Sequence, residues 1–587
     1  MRQRLHTWLV ERGGLITLVV LVLYVWVAPP HIVNGDNAEF CTLGTTGGAA
    51  HPPGYPAFLM WLRLWSWLPV ETPAHAAAIA TGILTAIQTL VLHAACRAWG
   101  ARPTVAAIVV AMYAAGPIVL RVQSEAEVFA PHSLICALVL WLAATKGPLR
   151  GAWRVGALGL VAGLGMSNQL TCVLLAPVGL LGAVRGVRES VHGTPLAVAA
   201  GVGGLVLGLC SYIYLLVTPD TWGSWGKVHD LHDLWWHFLR MDYGGPGNFA
   251  PHGTHVPLLA NLAAFSTTLG RSYAWIPAAI GIAALGYFCV RPTTETRAGW
   301  IVLASSWFVC GPLLASRFDV TLDDNGIYVV QRFHLMSTLV LAIPIAVAFE
   351  RIAEHLDRPA LQRYTRVASI GLPLVVVVAI ASRSLSYIAR FHSPAMERSL
   401  ENLLISMPPD AIVFGAPDYV HFGLNYMQDA LGQRRDVVVI TTPQLDLDFS
   451  RERVERRTGV TIDPNPTQTI NIPLTEKLLA TGRPVFVDRY QATIVKKFPT
   501  YPHGMLYRVL PLGTITPPVR EVYEINKALY DKFKFGYPLP GHDDEVAAQV
   551  HNIYAMMWHT ISEALEREGD TERANDALRR AYVLAPE

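Results

Sequence analysis

The feature that most constrains this chain is an uncharged apolar run from Gly13 to Pro30, which leads directly into two carboxylates. A helix needs about 20 predominantly apolar residues to cross a bilayer, so the run is long enough to span one. Asp36 and Glu39 follow within a few residues, in the segment GDNAEF at 35–40. Ionisable groups next to a span are costly and commonly functional. The sequence therefore predicts a membrane enzyme with an acidic site at the membrane surface.

Composition divides the chain into an apolar region expected to lie in lipid and a more polar region expected to lie in water. Of its 587 residues, 52% are hydrophobic and 15% charged, which is too apolar for an ordinary soluble protein, but the last third is more polar. The formal net charge is +2 and the basic residues form no continuous tract, which argues against nucleic-acid binding. No cysteine lies after residue 310 and no CxxC pair occurs, so neither a zinc site nor a disulfide framework is supported.

Apolar runs predict a polytopic α-helical membrane protein with about eleven spans. The fifth and sixth runs are separated only by the Ser167–Asn168 region and fit a tight hairpin, which leaves the count open by one or two. The runs lie at 14–30, 76–96, 103–120, 128–145, 153–166, 168–184, 195–217, 273–290, 299–316, 328–349 and 367–385.

Basic residues predict the orientation, because cytoplasmic loops carry an excess of lysine and arginine. Most of them fall on one side if the N-terminus is cytoplasmic. An odd number of spans then places the two acidic motifs and the tail after about residue 390 outside the cytoplasm. A cleaved signal peptide is the alternative for the first run, but no clear small-x-small site follows it. A tail without cysteine favours a bacterial inner membrane and a periplasmic tail. The inner loops include Arg97, Arg102, Lys146, Arg150, Arg185, Arg188, Arg291 and Arg297.

The polar tail predicts two further parts behind a membrane domain at 1–390. Strand-like runs at 411–414, 436–440 and 484–488, with a helical stretch at 421–430, predict an extracytoplasmic α/β domain at 391–515. Small residues and a Gly569–Asp570 turn between two helical patterns predict one tetratricopeptide-like helical pair at 516–587. One repeat cannot bury its own core, so we expect it to dock on the α/β domain or to be the stub of an array.

The loop HPPGYP at 51–56 adds a rigid segment to the first acidic motif. Three prolines and a glycine fix the backbone, which suits a loop that holds one side chain, His51, in place. His51 would donate to a phosphate oxygen or orient a carboxylate. A turn that re-enters the membrane is the compatible alternative. Asp36 and Glu39, three residues apart, lie on one side of a helical turn; the alternative is that they are solvated interfacial acids.

A second acidic pair, Glu125 and Glu127, precedes the fourth span. Glu127 borders apolar sequence and needs a partner, which Arg121, Arg332 or a substrate hydroxyl could supply; a structural ion pair is the alternative. Arg332, at the outer end of a span, offers a forked donor set suited to phosphate, unless it merely snorkels to the interface. Three more polar residues of the same side are Asn168, Tyr243 and His334.

In order along the chain, these segments resemble the GT-C class of membrane glycosyltransferases. They are most similar to the domain-of-unknown-function branch that includes the eukaryotic transmembrane protein O-mannosyltransferase acting on plexin-type receptor domains. The resemblance covers roughly residues 14–440. It rests on DNAEF at 36–40, HPPGYP at 51–56, EAEV at 125–128, Arg332–Phe333 and Asp436–Val437.

The resemblance implies a polyprenyl-phosphate hexose donor, with mannose as the first candidate, and an acceptor hydroxyl on a protein or glycan approaching from the outer side. In that class the acid of the first outer loop is the catalytic base, which corresponds here to Asp36. Arg332 and His51 would stabilise the departing phosphate, while Glu39 and Glu127 orient acceptor or sugar. The predicted site comprises Asp36 and Glu39 as catalytic residues, and His51, Tyr55, Glu125, Glu127, Asn168, Tyr243, Arg332 and His334 as substrate-binding residues.

The resemblance leaves three points open. Relatives often have a histidine near the start of the sixth span, where this chain has Asn168–Gln169. Some relatives use a divalent metal and others do not, and the two acidic motifs form no compelling cage. A transporter or flippase of lipid-linked sugars would use similar residues, but it predicts paired discontinuous helices, and the sequence shows no internal duplication. A non-catalytic membrane scaffold would tolerate loss of Asp36, whereas an enzyme would not.

Overall fold

The computed structural model describes residue 9 and residues 11–191, 193–245, 256–356, 362–415, 418–463, 471–541 and 546–585. Residues 542–545 and 586–587 of the predicted helical tail lie outside the described residues. Five described helices are long and apolar enough to cross a membrane, or seven if each of two bent pairs counts as one span. Three shorter apolar helices occupy further predicted positions. These helices support an integral membrane protein, and the count of about eleven spans stays a prediction.

The helices of the N-terminal part follow the apolar runs of the sequence. Prolines stand at the start of many of them, where the missing N–H is not needed for a helical hydrogen bond. In chain order the helices are α1 (Gly14–Val27), α2 (Asn37–Thr46), α3 (Pro56–Trp65), α4 (Pro73–Trp99), α5 (Pro103–Ala115), α6 (Pro117–Gln123), α7 (Phe129–Ala143), α8 (Gly151–Met166), α9 (Ala176–Arg188), α10 (Thr194–Leu209), α11 (Ile213–Val217), α12 (Leu231–Phe238), α13 (Leu258–Tyr273), α14 (Trp275–Val290), α15 (Arg297–Phe308), α16 (Asp324–Leu356) and α17 (Gln362–Phe391).

Two pairs of consecutive helices are bent, and the first bend divides a predicted span. The predicted span at 103–120 is divided into α5 and α6, which meet at an angle of 68°. Pro117 disfavours a helical backbone at the preceding Gly116, so the helix restarts in a new direction. The predicted span at 273–290 is observed as α14, but α13 precedes it at 109°. The first bend places α6 against α16 and α17, where the second acidic motif begins.

The tail contains a five-stranded sheet in the order β2-β1-β3-β5-β4. The three predicted strands are confirmed as β1 (Ile412–Gly415), β2 (Val438–Thr441) and β3 (Val485–Val487), and β1 pairs in parallel with both of the others. The antiparallel hairpin of β4 (Thr500–His503) and β5 (Leu506–Val509) is not predicted by the sequence pattern. Proline within β4 hides the strand signal, and β4 lies at the sheet edge, where proline is tolerated.

Helices surround the sheet and continue to the C-terminus. The last two form the predicted helical pair, which packs against α18 and α23, while its assignment to the tetratricopeptide class stays a prediction. Within this packing the Asn402 side chain donates to the Tyr554 hydroxyl at 2.8 Å. The helices of the tail are α18 (Ala395–Ser406), α19 (Asp418–Asn425), α20 (Asp448–Thr458), α21 (Asn471–Ala480), α22 (Ala492–Lys497), α23 (Val519–Tyr530), α24 (Val546–Arg567) and α25 (Thr571–Leu584).

One cluster of buried apolar side chains joins the membrane helices to the tail. It extends from Trp99 and Trp300, between the long helices, through Tyr426 to Trp558 in the final helical pair. The Tyr426 hydroxyl also accepts a hydrogen bond from the Ala74 backbone N–H at 3.3 Å. Packing therefore fixes the tail against the side of the helical domain where α2 lies.

Candidate active site

The first acidic motif and the proline-rich loop meet in a hydrogen-bonded chain. Glu39 lies in the first turn of α2 and is buried. Its Oε1 accepts the His51 backbone N–H at 2.8 Å, and its Oε2 lies 2.5 Å from His51 Nδ1. On the other side of the ring, His51 Nε2 lies 3.2 Å from the Tyr55 hydroxyl. The loop thus holds His51 against Glu39, as its rigid composition predicts.

The charge state of His51 follows from this contact. Burial disfavours the imidazolium, but the Glu39 carboxylate more than offsets burial and raises the pKa of His51 to about 9. At neutral pH the pair is therefore an imidazolium and a carboxylate, with Nδ1–H donating to Glu39. This leaves Nε2–H as a second, cationic donor on the side of Tyr55.

Arg332 of α16 connects the first acidic motif to the second. Its Nη1 lies 3.1 Å from Glu127 Oε1 and 3.5 Å from Asp36 Oδ2. Burial raises the pKa of Glu127, although the guanidinium of Arg332 acts in the opposite direction. Gly35, at φ +84°, lies against this pair, and a Cβ atom there would be 3.4 Å from Glu127 Oε1. The backbone therefore passes close to the Arg332–Glu127 ion pair at the residue that precedes Asp36.

Two polar atoms of the same ion pair lack a partner. Within the described part of the chain, Arg332 Nε and Glu127 Oε2 are buried and have no hydrogen-bond partner. Buried polar groups are nearly always satisfied by protein, water or a ligand. An unpaired donor and an unpaired acceptor on one buried pair indicate a place for a bound polar group.

Glu125 is held by residues that the sequence analysis does not single out. Its Oε2 accepts a hydrogen bond from the Tyr328 hydroxyl at 3.2 Å, and its Oε1 lies 3.5 Å from His392 Nε2. Arg121, one of the expected partners of Glu127, instead stacks at 3.9 Å from the Tyr328 ring centroid. Tyr328 precedes Arg332 by four residues on one helix, and residues at this spacing share a helix face. This spacing was the signal that could have placed Tyr328 in the site.

The remaining predicted residues differ in their distance from this centre. The Tyr243 ring stacks on Trp225 at 5.9 Å and lies 6.4 Å from the His51 ring. The Asn168 side chain is buried and donates to the Val128 backbone carbonyl at 3.0 Å, so it supports the turn that carries Glu127. His51 also has Trp225 as a neighbour at 6.2 Å, which sequence reasoning did not identify.

His334 is not brought together with Asp36. Its Nδ1 lies 3.1 Å from Thr268 Oγ1, between α16 and α13. Residues two apart on a helix differ in direction by about 200°, so His334 and Arg332 point to opposite sides of α16. Its role in substrate binding stays a prediction, as do those of Asn168 and Tyr243.

The fold is that of the GT-C glycosyltransferases. The crystal structure of ArnT from Cupriavidus metallidurans, solved with bound undecaprenyl phosphate, matches with a TM-score of 0.51 and covers 87% of this chain and 99% of that one. The sequence identity is 13%, so this likeness concerns the fold alone.

Sequence comparison gives a narrower result. Residues 36–189 match the family model described as the Protein O-mannosyl-transferase TMEM260 N-terminal domain. The Protein O-mannosyl-transferase tmem260 of Dictyostelium discoideum is 20% identical over 403 residues, which cover 62% of this chain and 48% of that protein. TMEM260 of Mus musculus is 23% identical over 459 residues, covering 74% of this chain and 63% of that protein. The chain thus spans about half to two thirds of these relatives. The predicted resemblance is confirmed.

Proposed function

We propose that this chain is a membrane glycosyltransferase that moves a hexose from a polyprenyl phosphate to an acceptor hydroxyl, with mannose as the first candidate sugar and a protein as the first candidate acceptor. The supporting comparisons are relatives named protein O-mannosyl-transferases and a fold neighbour that binds undecaprenyl phosphate. The observation that carries the proposal is the accessibility of one carboxylate beside a buried ion pair with two unpartnered polar atoms. That carboxylate is Asp36.

Asp36 differs from the other acids of the site. Its side chain is 29% exposed, whereas that of Glu127 is fully buried and that of Glu39 is 1% exposed. Glu125 is also buried, 2% exposed. A general base must come within hydrogen-bond reach of the proton it accepts. Of these four carboxylates, Asp36 alone combines access for an acceptor with proximity to Arg332.

The proposed reaction is a displacement at the anomeric carbon. The acceptor oxygen forms a bond to that carbon while its proton passes to the Asp36 carboxylate. The bond from the anomeric carbon to the phosphate oxygen breaks, and the polyprenyl phosphate leaves with the electron pair. Arg332 and the imidazolium of His51 are the cations that would stabilise this leaving group. Glu39 and Glu127 act through these cations as positioning residues.

We infer that the reaction needs no resident divalent metal. Such ions prefer several carboxylate oxygens that converge on one point. Here Glu39 is paired with His51, Glu125 with Tyr328, and both Asp36 and Glu127, the latter through Oε1 only, with Arg332. The donor set therefore does not fit a divalent cation, and the protein's own cations fill that role.

We further propose an N-terminus in the cytoplasm of a bacterium, a chain embedded in the inner membrane, and a site and tail in the periplasm. The support is the concentration of basic residues in the predicted inner loops. The lipid-linked donor and the acceptor would then meet beside Asp36, at the periplasmic surface of the inner membrane.

The decisive experiment compares purified wild type with Asp36→Asn on a panel of polyprenyl-phosphate sugars, beginning with mannose. Transfer to water and to candidate acceptors is scored with and without EDTA. We expect the variant to bind donor normally and to lose about 100- to 10,000-fold in rate, the range typical of a general base. We expect EDTA to have no effect.

Asp463→Asn is the matched control, because Asp463 is an exposed carboxylate in the tail. Equal activity of wild type and Asp36→Asn would exclude Asp36 as the base. Donor binding without transfer by either protein would favour the transporter or scaffold functions, and loss of activity in EDTA would contradict the metal-free reaction.

A further inference from the structure

The backbone that leads into His51 is hydrogen-bonded to a second loop. Residues 218–226 form this loop, named here the clamp loop. It accepts the Gly48 N–H on Thr218 Oγ1 and the Ala49 N–H on Ser224 Oγ, each at 2.8 Å. The Trp225 N–H donates in return to the Ala49 carbonyl at 2.7 Å. The clamp loop therefore contributes to the position of His51, together with Glu39 and with His237, whose Nε2 lies 2.8 Å from the Ala50 carbonyl oxygen.

Arg453 of α20, in the tail, makes four hydrogen bonds to the clamp loop. Arg453 Nη1 donates to the carbonyls of Trp222 at 3.1 Å and Ser224 at 2.5 Å. Its Nη2 donates to the Thr221 carbonyl at 3.1 Å and to Asp220 Oδ1 at 2.5 Å. The guanidinium uses its fork to hold four acceptors of one loop, a geometry that a lysine ammonium cannot reproduce.

This contact is buried and reinforced. Arg453 is 8% exposed and lies over the Phe449 ring at 5.1 Å. A second tail residue, Asp429, accepts the Gly223 N–H at 2.7 Å. A guanidinium removed from water needs a full set of partners, and the clamp loop supplies them. The buried guanidinium of Arg453 is therefore stable only when the tail and the clamp loop are in contact.

We infer that Arg453 is a positioning residue for His51: the tail, through Arg453, holds the clamp loop, and the clamp loop holds the 47–51 backbone that presents His51. The inference rests on the proposed function, in which His51 faces the departing phosphate. It assigns the tail a role in the reaction, although the tail supplies none of the proposed reacting groups. Trp225, in the clamp loop, lies 6.2 Å from the His51 ring.

The test combines hydrogen exchange with kinetics on the full-length protein in nanodiscs. We expect Arg453→Ala to increase exchange in segments 218–226 and 47–56, while β1, β2 and β3 keep their protection. We expect kcat to fall by up to about 100-fold, as a 1 Å displacement of a reacting group can cause, with the KM for donor little changed. Arg453→Lys should give intermediate values. Arg456→Ala is the matched control, because Arg456 is exposed on the same helix.

Three results would overturn the inference. In the first, Arg453→Ala increases exchange in 218–226 but not in 47–56. In the second, Arg453→Ala increases exchange in the whole sheet as much as in these two segments. In the third, Arg456→Ala increases exchange in the same two segments. The exchange measurement does not depend on turnover. If wild type transfers no sugar, the proposed function fails, and hydrogen exchange still decides whether Arg453 holds the His51 loop.

Discussion

At the scale of single residues, the site is organised by pairing buried charges. Glu39 is paired with His51, and Glu127 with Arg332. A buried carboxylate without a partner costs several kcal/mol, so these pairings are required before any substrate binds. The roles predicted for Glu39 and Glu127 stay predictions, and the structure adds that each is paired with a cation. What remains available for an acceptor is Asp36.

The first prediction at this scale concerns the pH dependence of stability. The pKa of His51 is about 9 in the folded protein, against about 6.5 in an unfolded chain. A raised pKa means that the folded state binds the proton more tightly, so the His51–Glu39 pair stabilises fully below about pH 6.5. This stabilisation is lost as the pH rises through about 9. We expect the melting temperature of wild type to exceed that of His51→Gln at pH 6, with the difference shrinking by pH 10.

Thermal unfolding of both proteins from pH 6 to 10 measures this difference. His559→Gln serves as the control, since His559 lies in the final helical pair far along the chain from the site. A constant difference between wild type and His51→Gln over this range would contradict the ion pair.

At the scale of elements, the turn between α2 and α3 carries His51 and has a tightly constrained backbone at Gly48. Gly48 adopts φ +125°, and a Cβ atom there would lie 2.8 Å from Leu43 and 2.9 Å from Thr221 Oγ1. Glycine is required both for the backbone conformation and for the close approach of the clamp loop. The turn is thus an element whose geometry is set jointly by its own sequence and by its neighbour.

A pair of glycine substitutions separates these two effects. Gly513→Ala also places alanine at a positive φ, +83°, but meets no atom within 4 Å. We expect Gly513→Ala to cost about 1–2 kcal/mol from the backbone conformation alone and to leave sugar transfer unchanged. Gly48→Ala should cost more and reduce transfer, because the clamp loop must move. Chemical or thermal unfolding and transfer assays on both variants measure this, and equal effects would show that crowding at Gly48 is unimportant.

At the scale of the whole molecule, the tail and the membrane helices form one packed unit around the site. The Phe422 ring of α19 lies 6.3 Å from the His51 ring, and Tyr426 lies in the cluster that contains Trp99. The boundaries predicted at 390 and 515 stay predictions, and packing crosses both of them. The tail therefore forms part of the wall of the candidate site.

The prediction at this scale is the topology. Thr514 is exposed in the tail, and Lys146 is exposed in a predicted inner loop. In intact cells, a membrane-impermeant maleimide should label Thr514→Cys, whereas Lys146→Cys should be labelled only after permeabilisation. Wild type, which has seven cysteines of its own, sets the background. The reverse pattern would place the tail and Asp36 in the cytoplasm and exclude the proposed orientation.

The sequence by itself determined the helical runs and the three parallel strands of the tail, and it selected most residues of the candidate site, whose roles stay predictions. These features depend on local signals: apolar runs of spanning length, short β-rich runs, and a proline-rich loop after an acidic motif. Only the tertiary structure decided that Arg332 and not Arg121 pairs with Glu127, that His334 faces away from Asp36, and that Arg453 reaches the loop behind His51. Those contacts join residues up to several hundred positions apart. Their free energy depends on burial and on competing partners, and neither can be inferred from local spacing.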